Sequence, residues 1–168
     1  MFSITAETRR AMPADAAKIS AVHLESWRHA YSGMVPHAAL NRMINRRGDE
    51  WWEMAIRRAT IILVIEVCDE IAGYATLGPN RVSTLPFEGE IYEIYLKPEY
   101  QGIGLGTKLF ADAKNELKRR GYEGVVVWAL ADNDAALSFY HNAGGRAVAT
   151  GSEHFDHKKL EKTAFAWG

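Results

Sequence analysis

The sequence has one cysteine, Cys68, in 168 residues, and this scarcity excludes two kinds of architecture. A single thiol cannot form an intrachain disulfide framework, and it cannot build a cysteine-rich zinc site. Cys68 ends a β-branched run beside Asp69 and Glu70, whose negative charges disfavour the thiolate needed for nucleophilic attack. We therefore expect a structural cysteine, and we expect no metal because the six histidines also lack ligand spacing.

An excess of charge of one sign and a long apolar run are also lacking. The formal net charge is -1, so no broad basic surface is available to hold a nucleic acid. The longest apolar runs, residues 61–65 and 125–130, are too short to cross a bilayer, and the N-terminus does not have a signal-peptide layout. We expect a cytoplasmic protein with no membrane or nucleic-acid partner. The length predicts one domain over residues 1–168.

Hydrophobic periodicity predicts strands and helices that alternate in the second half of the chain. Helical spacing is found from Pro13 to about Tyr31, through Leu40 and Ile44, from Trp51 to Arg58, from Leu105 to Leu117, and from Asn133 to Gly144. Strand patterns occupy residues 2–10, 61–67, 71–77, 90–96, 125–130, 146–150 and 160–167. The second and third strands are predicted to form a hairpin, and the last two are separated by a polar loop. The strand–helix–strand order over 90–130 predicts two neighbouring parallel strands.

Three glycines, Gly102, Gly104 and Gly106, lie where a strand gives way to the amphipathic helix. Glycine lets the backbone approach a ligand closely, and the first amides of a helix lack intrahelical acceptors, so such a junction binds phosphate. Two other phosphate motifs fit less well. Thr107 replaces the last glycine of a dinucleotide fingerprint, and Gly106-Thr107-Lys108 has the wrong order for a P-loop. A tight turn without a ligand is the remaining alternative.

Two motifs together resemble the GNAT superfamily of acyl-CoA-dependent N-acetyltransferases. They are Gln101-x-x-Gly104-x-Gly106 and Asn133-x-x-Ala136-x-x-Phe139-Tyr140-x-x-x-Gly144. They stand in the family's order and at its distance, and the match runs from about Ile61 to Val148. The resemblance implies an α/β (α+β) fold. Its mixed, twisted sheet of about seven strands is flanked by helices, and two central parallel strands splay apart to admit acetyl-CoA.

The resemblance also implies the contacts with the donor. The main-chain amides of the glycine junction would hold the CoA pyrophosphate, and the end of the preceding strand would pair with the pantetheine arm and point one amide at the thioester carbonyl. Asn133 would bind the cofactor, and from the residues alone Asp132 or Asn133 would cap the following helix. The implied cofactor-binding residues are Ile94, Tyr95, Leu96, Gln101, Gly102, Ile103, Gly104, Leu105, Gly106, Thr107, Asn133 and Tyr140.

The catalytic expectations concern one phenol and one carboxylate. Tyr140 matches the family's general acid, which would protonate the departing CoA thiolate, and its plainer role is a core aromatic. The attacking amine must lose a proton, and the family often places a glutamate at this level of the sheet, so Glu90 is preferred as the base. Glu93 is expected on the opposite strand face as a substrate contact, although either carboxylate could be a solvated charge. Trp27 and Tyr31 are expected to line the acceptor pocket or to be core aromatics.

The sequence departs from the family pattern at the last helix. Gly144-Gly145-Arg146 stands where the family has glycine followed by an aromatic residue, which concerns the acceptor side rather than the cofactor motif. We expect an acetyl-CoA-dependent N-acetyltransferase whose acceptor is a primary amine of a small molecule or peptide, attacking directly in a ternary complex. A non-catalytic acyl-CoA-binding module and a nucleotide-binding domain are the alternatives. The sequence does not identify the acceptor, and a homodimer is compatible with the family.

Overall fold

A computed structural model describes residues 5–58 and 60–168, and its centre is a seven-stranded mixed sheet. The strand order is β1-β2-β3-β4-β5-β7-β6. The strands are β1 Ala6–Arg10, β2 Ile61–Val67, β3 Glu70–Pro79, β4 Gly89–Leu96, β5 Val125–Leu130, β6 Arg146–Phe155 and β7 Lys158–Trp167. The helices are α1 Ala16–Tyr31, α2 His37–Arg46, α3 Asp49–Arg57, α4 Leu105–Arg119 and α5 Asp134–Asn142. Residues 2–4, which the sequence assigns to the first strand, lie outside the described residues.

The predicted hairpin of the second and third strands is confirmed. β2 and β3 pair antiparallel, and the turn between them contains Cys68 and Asp69 with φ values of 50 and 64°. Two consecutive residues with positive φ make the kind of two-residue turn whose twist matches the flanking strands. All of β2 except Glu66 is buried, because helices cover both faces of the sheet. Cys68 is exposed in this turn.

Each face of the sheet is covered by its own group of helices. The apolar stripe of α4, which includes Leu109, Ala113 and Leu117, packs on one face together with Ile91 and Leu77. On the other face, α1 and α3 bury Ile19, Val22 and Trp52 against Val64 and Tyr74. The order of strands and helices along the chain therefore produces a three-layer arrangement.

The two central strands are parallel, as the strand–helix–strand order predicts, and they splay apart, as the family resemblance implies. β4 and β5 are paired only at Gly89↔Val125 and Glu90↔Val126. Beyond these two pairs the strands separate, while β4 continues beside β3 and β5 continues beside β7. The rest of the facing edges of β4 and β5 is left without strand hydrogen bonds. This gap in the middle of the sheet organises the site described below.

The predicted polar loop between residues 150 and 160 is wrong. β6 and β7 form a continuous antiparallel hairpin that runs through Phe155 and Lys158 and turns at Asp156 and His157. Most side chains from Gly151 to Lys159 are exposed, and Phe155 is the one apolar residue that this segment buries, so no apolar alternation reveals the strand pairing.

The predicted opposite orientation of Glu90 and Glu93 is also wrong, because β4 contains a bulge. Thr76 pairs with Glu93 and Leu77 pairs with Ile91, so Tyr92 is an extra residue on β4. One inserted residue shifts the side-chain alternation of everything that follows it. Glu93 therefore returns to the face that Glu90 uses, although they are three positions apart.

Candidate active site

The glycine junction forms an open cradle at the start of α4. Gly104 is the N-cap with φ 89°, and Gly102 has φ 79°. A Cβ atom at either glycine would meet nothing within 4 Å, so this backbone faces open space. The main-chain N–H groups from Gly102 to Thr107 have no acceptor among the described residues. Free amides at the positive end of a helix dipole fit an anionic group such as a pyrophosphate.

The side chains around the cradle hold its backbone in place. Leu105 is buried in the core, and the Gln101 side chain donates to the Leu96 carbonyl at 3.3 Å. At Gly106 an added Cβ atom would lie 3.4 Å from the Phe139 ring, so the helix start packs closely on α5. Ile103 and Thr107 are exposed. One side of the junction therefore packs on the core, and its other side is exposed.

The end of β4 presents its backbone to the gap and its side chains to the two faces. Ile94 and Leu96 pack against the apolar cluster under α4. Tyr95 points to the opposite face, where its hydroxyl lies 2.6 Å from the hydroxyl of Tyr31. The main-chain groups between them lack a partner strand on the β5 side beyond Glu90. An extended ligand with amide groups could pair with this edge as an added strand would.

Asn133 lies just beyond β5 and caps α5. Its side-chain oxygen accepts from the Ala136 N–H at 3.2 Å, so the capping role considered from the sequence is confirmed and belongs to Asn133. The side-chain NH₂ of Asn133 has no acceptor in the described part of the chain. The cap and a contact with the cofactor are thus compatible.

Tyr140 is enclosed on the α4 side of the sheet. The ring centroids of Phe139, Phe165, Phe110 and Trp167 lie 5.5, 5.8, 5.9 and 6.0 Å from its own. Its hydroxyl makes no hydrogen bond within residues 5–58 and 60–168. Burial raises the pKa of Tyr140 above its usual range, and the nearby Tyr31 phenol adds to the shift. A phenol in this setting keeps its proton at neutral pH and could donate it.

A cavity of about 490 Å³ lies on the other face, over the place where β4 and β5 separate. Tyr92, Glu93 and Tyr95 of β4 line it together with Trp128 and Leu130 of β5. Helical residues complete the wall, among them Trp27, Tyr31, Trp51 and Trp52. The structure thus brings together the three residues that the sequence analysis assigns to acceptor binding, Trp27, Tyr31 and Glu93. Trp27 is also a core residue, since only 8% of its surface is exposed.

Glu93 and Glu90 are both paired with arginine, but only Glu93 lines the cavity. Glu93 accepts from Arg47 at 2.5 Å and from the Thr76 hydroxyl at 3.0 Å. Glu90 is 1% exposed, and its carboxylate accepts from the Arg81 guanidinium at 2.8 Å and from the Arg81 N–H at 3.0 Å. Neither carboxylate is a solvated surface charge. The catalytic role of Glu90 stays a prediction, and its enclosure favours Glu93 for contact with an acceptor.

Several cavity residues are not found by sequence reasoning. Arg47, Arg58, Arg81, Tyr92 and Trp128 all line the cavity. The guanidinium of Arg47 lies 4.5 Å from the centroid of the Trp51 ring, and that of Arg81 lies 4.3 Å from the Tyr92 ring. Of these residues, only Trp128 carries a sequence signal for a cavity position, because it is a tryptophan near the end of an otherwise aliphatic strand. The arginines stand in loops and at helix ends, where the sequence gives no facing direction.

A buried histidine supports the cavity wall from behind. His23 is fully buried, its ring lies 4.4 Å from that of Trp27, and Nδ1 is 3.2 Å from the Tyr74 hydroxyl. Burial, with a smaller effect of the Arg47 charge, lowers the pKa of His23 to about 4. His23 is therefore neutral at pH 7 and acts here as a packing residue.

No helix in the described ranges has the length and apolarity to span a membrane. Within the same ranges, no three His, Cys, Asp or Glu side chains are grouped as a metal site would require.

Comparison with known proteins agrees with this geometry. The model of the acetyltransferase (GNAT) family matches residues 23–144. An uncharacterized N-acetyltransferase of Bacillus subtilis is 27% identical over 95% of this chain and 91% of its own length. The spermidine N(1)-acetyltransferase of Thermoplasma acidophilum is 26% identical over 92% of this chain and 98% of its own length.

Solved structures share the whole fold. The PaiA N-acetyltransferase from Thermoplasma acidophilum, in complex with coenzyme A, gives a TM-score of 0.74 at 20% identity, covering 95% of this chain and 98% of that one. The protein yncA from Salmonella typhimurium, with its cofactor acetyl-CoA, gives a TM-score of 0.69 at 22% identity, covering 97% of this chain and 93% of that one. The matched segment runs from the buried face of α1, through the splayed strands, to the glycine that ends α5, and this chain belongs to the GNAT acetyltransferase family.

Proposed function

We infer that this protein is an acetyl-CoA-dependent N-acetyltransferase that acts on a primary amine bound in the cavity over the β4–β5 gap. The observation that carries the proposal is the position of the gap. It has an anion cradle of free amides at its open end, and the acceptor cavity opens onto it from the α1 face. A donor lying in the gap would bring its acyl group to the floor of the cavity. The donor, in the gap, and the acceptor, in the cavity on the α1 face, would then occupy separate parts of the site and meet at the acyl group.

Donor binding follows from main-chain groups. The amides from Gly102 to Thr107 would hold the pyrophosphate, and the free edge of β4 at Ile94 to Leu96 would pair with the pantetheine amides. Asn133 contributes its free NH₂ group from the β5 side. Two similar folds have been solved with coenzyme A or acetyl-CoA, which supports this choice of donor.

The reaction needs a free amine. An alkyl ammonium has a pKa of about 10 in water, and an apolar cavity that already holds cations disfavours the charged form. The aromatic wall and the Arg47 guanidinium therefore promote loss of the proton from the ammonium. The Glu93 carboxylate, or a water molecule bound to it, would receive this proton. Glu90 can serve only if Arg81 moves away from it.

The transfer itself is a direct attack. The amine nitrogen forms a bond to the acetyl carbonyl carbon, the carbon–sulfur bond breaks, and the CoA thiolate takes a proton from the Tyr140 hydroxyl. Tyr140 suits this step because its pKa is raised, so the phenol remains protonated while the thiolate leaves. The nitrogen loses a second proton as the amide forms, and this proton restores the Tyr140 phenol, while the proton first lost from the ammonium passes to solvent. The net products are the amide, free CoA thiol and one proton.

Release of free thiol from acetyl-CoA tests the proposal. We expect release only when an amine acceptor is present, and we expect acetyl-CoA to raise the melting temperature of the protein. Acetyl-CoA binding without thiol release for any amine of a broad panel would instead indicate an acyl-CoA-binding module. A melting temperature raised by NAD or ATP, and not by CoA, would contradict the assignment of the cradle. A cytoplasmic location and a homodimer stay predictions.

A further inference from the structure

The cavity has more positive than negative charge on its wall. Four cationic side chains line it, namely Arg47, Arg58, Arg81 and Lys162, against the carboxylates Glu93 and Glu153. Arg47 is neutralised by Glu93, and the Lys162 ammonium lies 3.5 Å from Glu153 while it also covers the Trp128 ring. Arg81 is paired with Glu90, which does not line the cavity, so Arg58 is the cation of the wall that has no carboxylate partner among the described residues.

Arg58 and Arg81 stand at one end of the cavity. Ile61 of β2 pairs with Leu77 of β3, Arg58 lies just before β2, and Arg81 just after β3, so both reach the same edge of the sheet. Arg81 binds Glu90 through Nε and Nη2, which leaves Nη1 free, and 65% of its side chain is exposed. The Arg58 guanidinium has no hydrogen-bond or ion-pair partner in residues 5–58 and 60–168. Two guanidinium groups with unused donors thus face the same opening.

Aromatic side chains form much of the cavity wall. The side chains of Trp27, Trp51, Trp52, Tyr92, Tyr95 and Trp128 supply ring surface to its wall. Rings of this kind stack on a planar apolar group, whereas a flexible dication such as a polyamine would meet like charges at the arginine end. Glu93, at the floor beside the gap, is the carboxylate placed to meet an amine.

We propose that the acceptor is an amino acid with an aromatic side chain, whose carboxylate binds Arg58 and Nη1 of Arg81 while its amine faces Glu93 and the β4–β5 gap. This inference rests on the proposed function, because it names the acceptor class of the same site. Guanidinium groups match carboxylates in planar geometry, so they select acceptors that carry that group. The volume of about 490 Å³ is in the usual range of small-molecule sites.

The test compares three amines, L-phenylalanine, its amide and spermidine. Thiol release gives kcat/KM for each, and quenching of intrinsic fluorescence measures binding independently of turnover, since four of the five tryptophans line the cavity. We expect L-phenylalanine to be preferred over the amide by about 10- to 100-fold, as one charge-assisted contact would give. The amide also represents a peptide N-terminus, which lacks the free carboxylate.

Arg58→Gln is the decisive variant, and Arg57→Gln is its matched control. Arg57 is also exposed, but it bonds to Glu53 and does not line the cavity. We expect Arg58→Gln to remove most of the preference for L-phenylalanine over its amide, with the KM for acetyl-CoA unchanged, and Arg57→Gln to leave the preference intact.

The outcomes separate the two proposals. Thiol release with spermidine or the amide at least as fast as with L-phenylalanine overturns the acceptor class and leaves the acetyltransferase function standing. An unchanged preference in Arg58→Gln also overturns it, as does an absence of fluorescence quenching by L-phenylalanine. Quenching that depends on Arg58, without thiol release from any amine, supports the binding site and contradicts the proposed function.

Discussion

Replacing Tyr140 with phenylalanine tests the chemistry with little disturbance of the fold. The Tyr140 hydroxyl has no hydrogen-bond partner in the described part of the chain, and the ring packs among Phe110, Phe139, Phe165 and Trp167. Removing an unpaired hydroxyl keeps this packing, so the free energy of unfolding should change by no more than about 0.5 kcal/mol. Loss of a general acid lowers kcat by about 10²- to 10⁴-fold, which corresponds to roughly 3–5 kcal/mol in the barrier.

The assay is thiol release at saturating acetyl-CoA, together with urea unfolding of the same samples. The raised pKa of Tyr140 adds a second readout, because the wild-type rate should not fall through titration of this group up to about pH 10. Tyr122→Phe is the matched control, since Tyr122 also packs against the core but has no role assigned in donor binding or proton transfer. Unchanged turnover in Tyr140→Phe at every pH would refute the assignment, and so would an equal loss in Tyr122→Phe.

Three further predictions concern the cradle, the carboxylates and the buried histidine. Gly104→Ala introduces a side chain at φ 89° into the open cradle, and it should raise the KM for acetyl-CoA about tenfold, whereas Gly144→Ala carries similar backbone strain at the end of α5 and should not. Glu93→Gln should lower kcat/KM for the acceptor about 10- to 100-fold with acetyl-CoA binding unchanged, while a larger loss in Glu90→Gln would make Glu90 the base. Because the pKa of His23 is lowered to about 4, the folded protein resists protonation that the unfolded chain accepts below about pH 6.5, so stability falls as the pH drops from 6.5 to 4. Urea unfolding should show a loss of about 3 kcal/mol over this range that His23→Gln does not show.

The features predicted from the sequence are those that short segments determine. All of the run Ile61–Val67 except Glu66 is buried, and Gly102 and Gly104 precede α4 with an open backbone, because strand propensity and positive φ are properties of single residues and their neighbours. The splay of β4 from β5 follows from the resemblance to a family, since nothing in either strand alone requires it.

The features that were missed depend on pairing or on packing between distant segments. The bulge at Tyr92 appears only when β4 is aligned with β3, and it reverses the expected side of Glu93. Arg47, Arg58 and Arg81 come from three separate parts of the chain, and only the packing of α2 and α3 on the sheet makes them line one cavity. The polar half of the β6–β7 hairpin lacks the alternation that indicates a strand, because only Phe155 and Leu160 in it are buried and the side chains between them are exposed.

The gap between β4 and β5 also divides the sheet into two hydrogen-bonded ladders. β1 to β4 form one ladder and β5 to β7 the other, and two residue pairs are their sole main-chain link within the described sheet. Such ladders can open as separate cooperative units, each with its own free energy of opening. A ligand that pairs with both inner edges joins them, so we expect donor binding to unite the unfolding of the two halves. The donor would then act as a structural component of the sheet as well as a substrate.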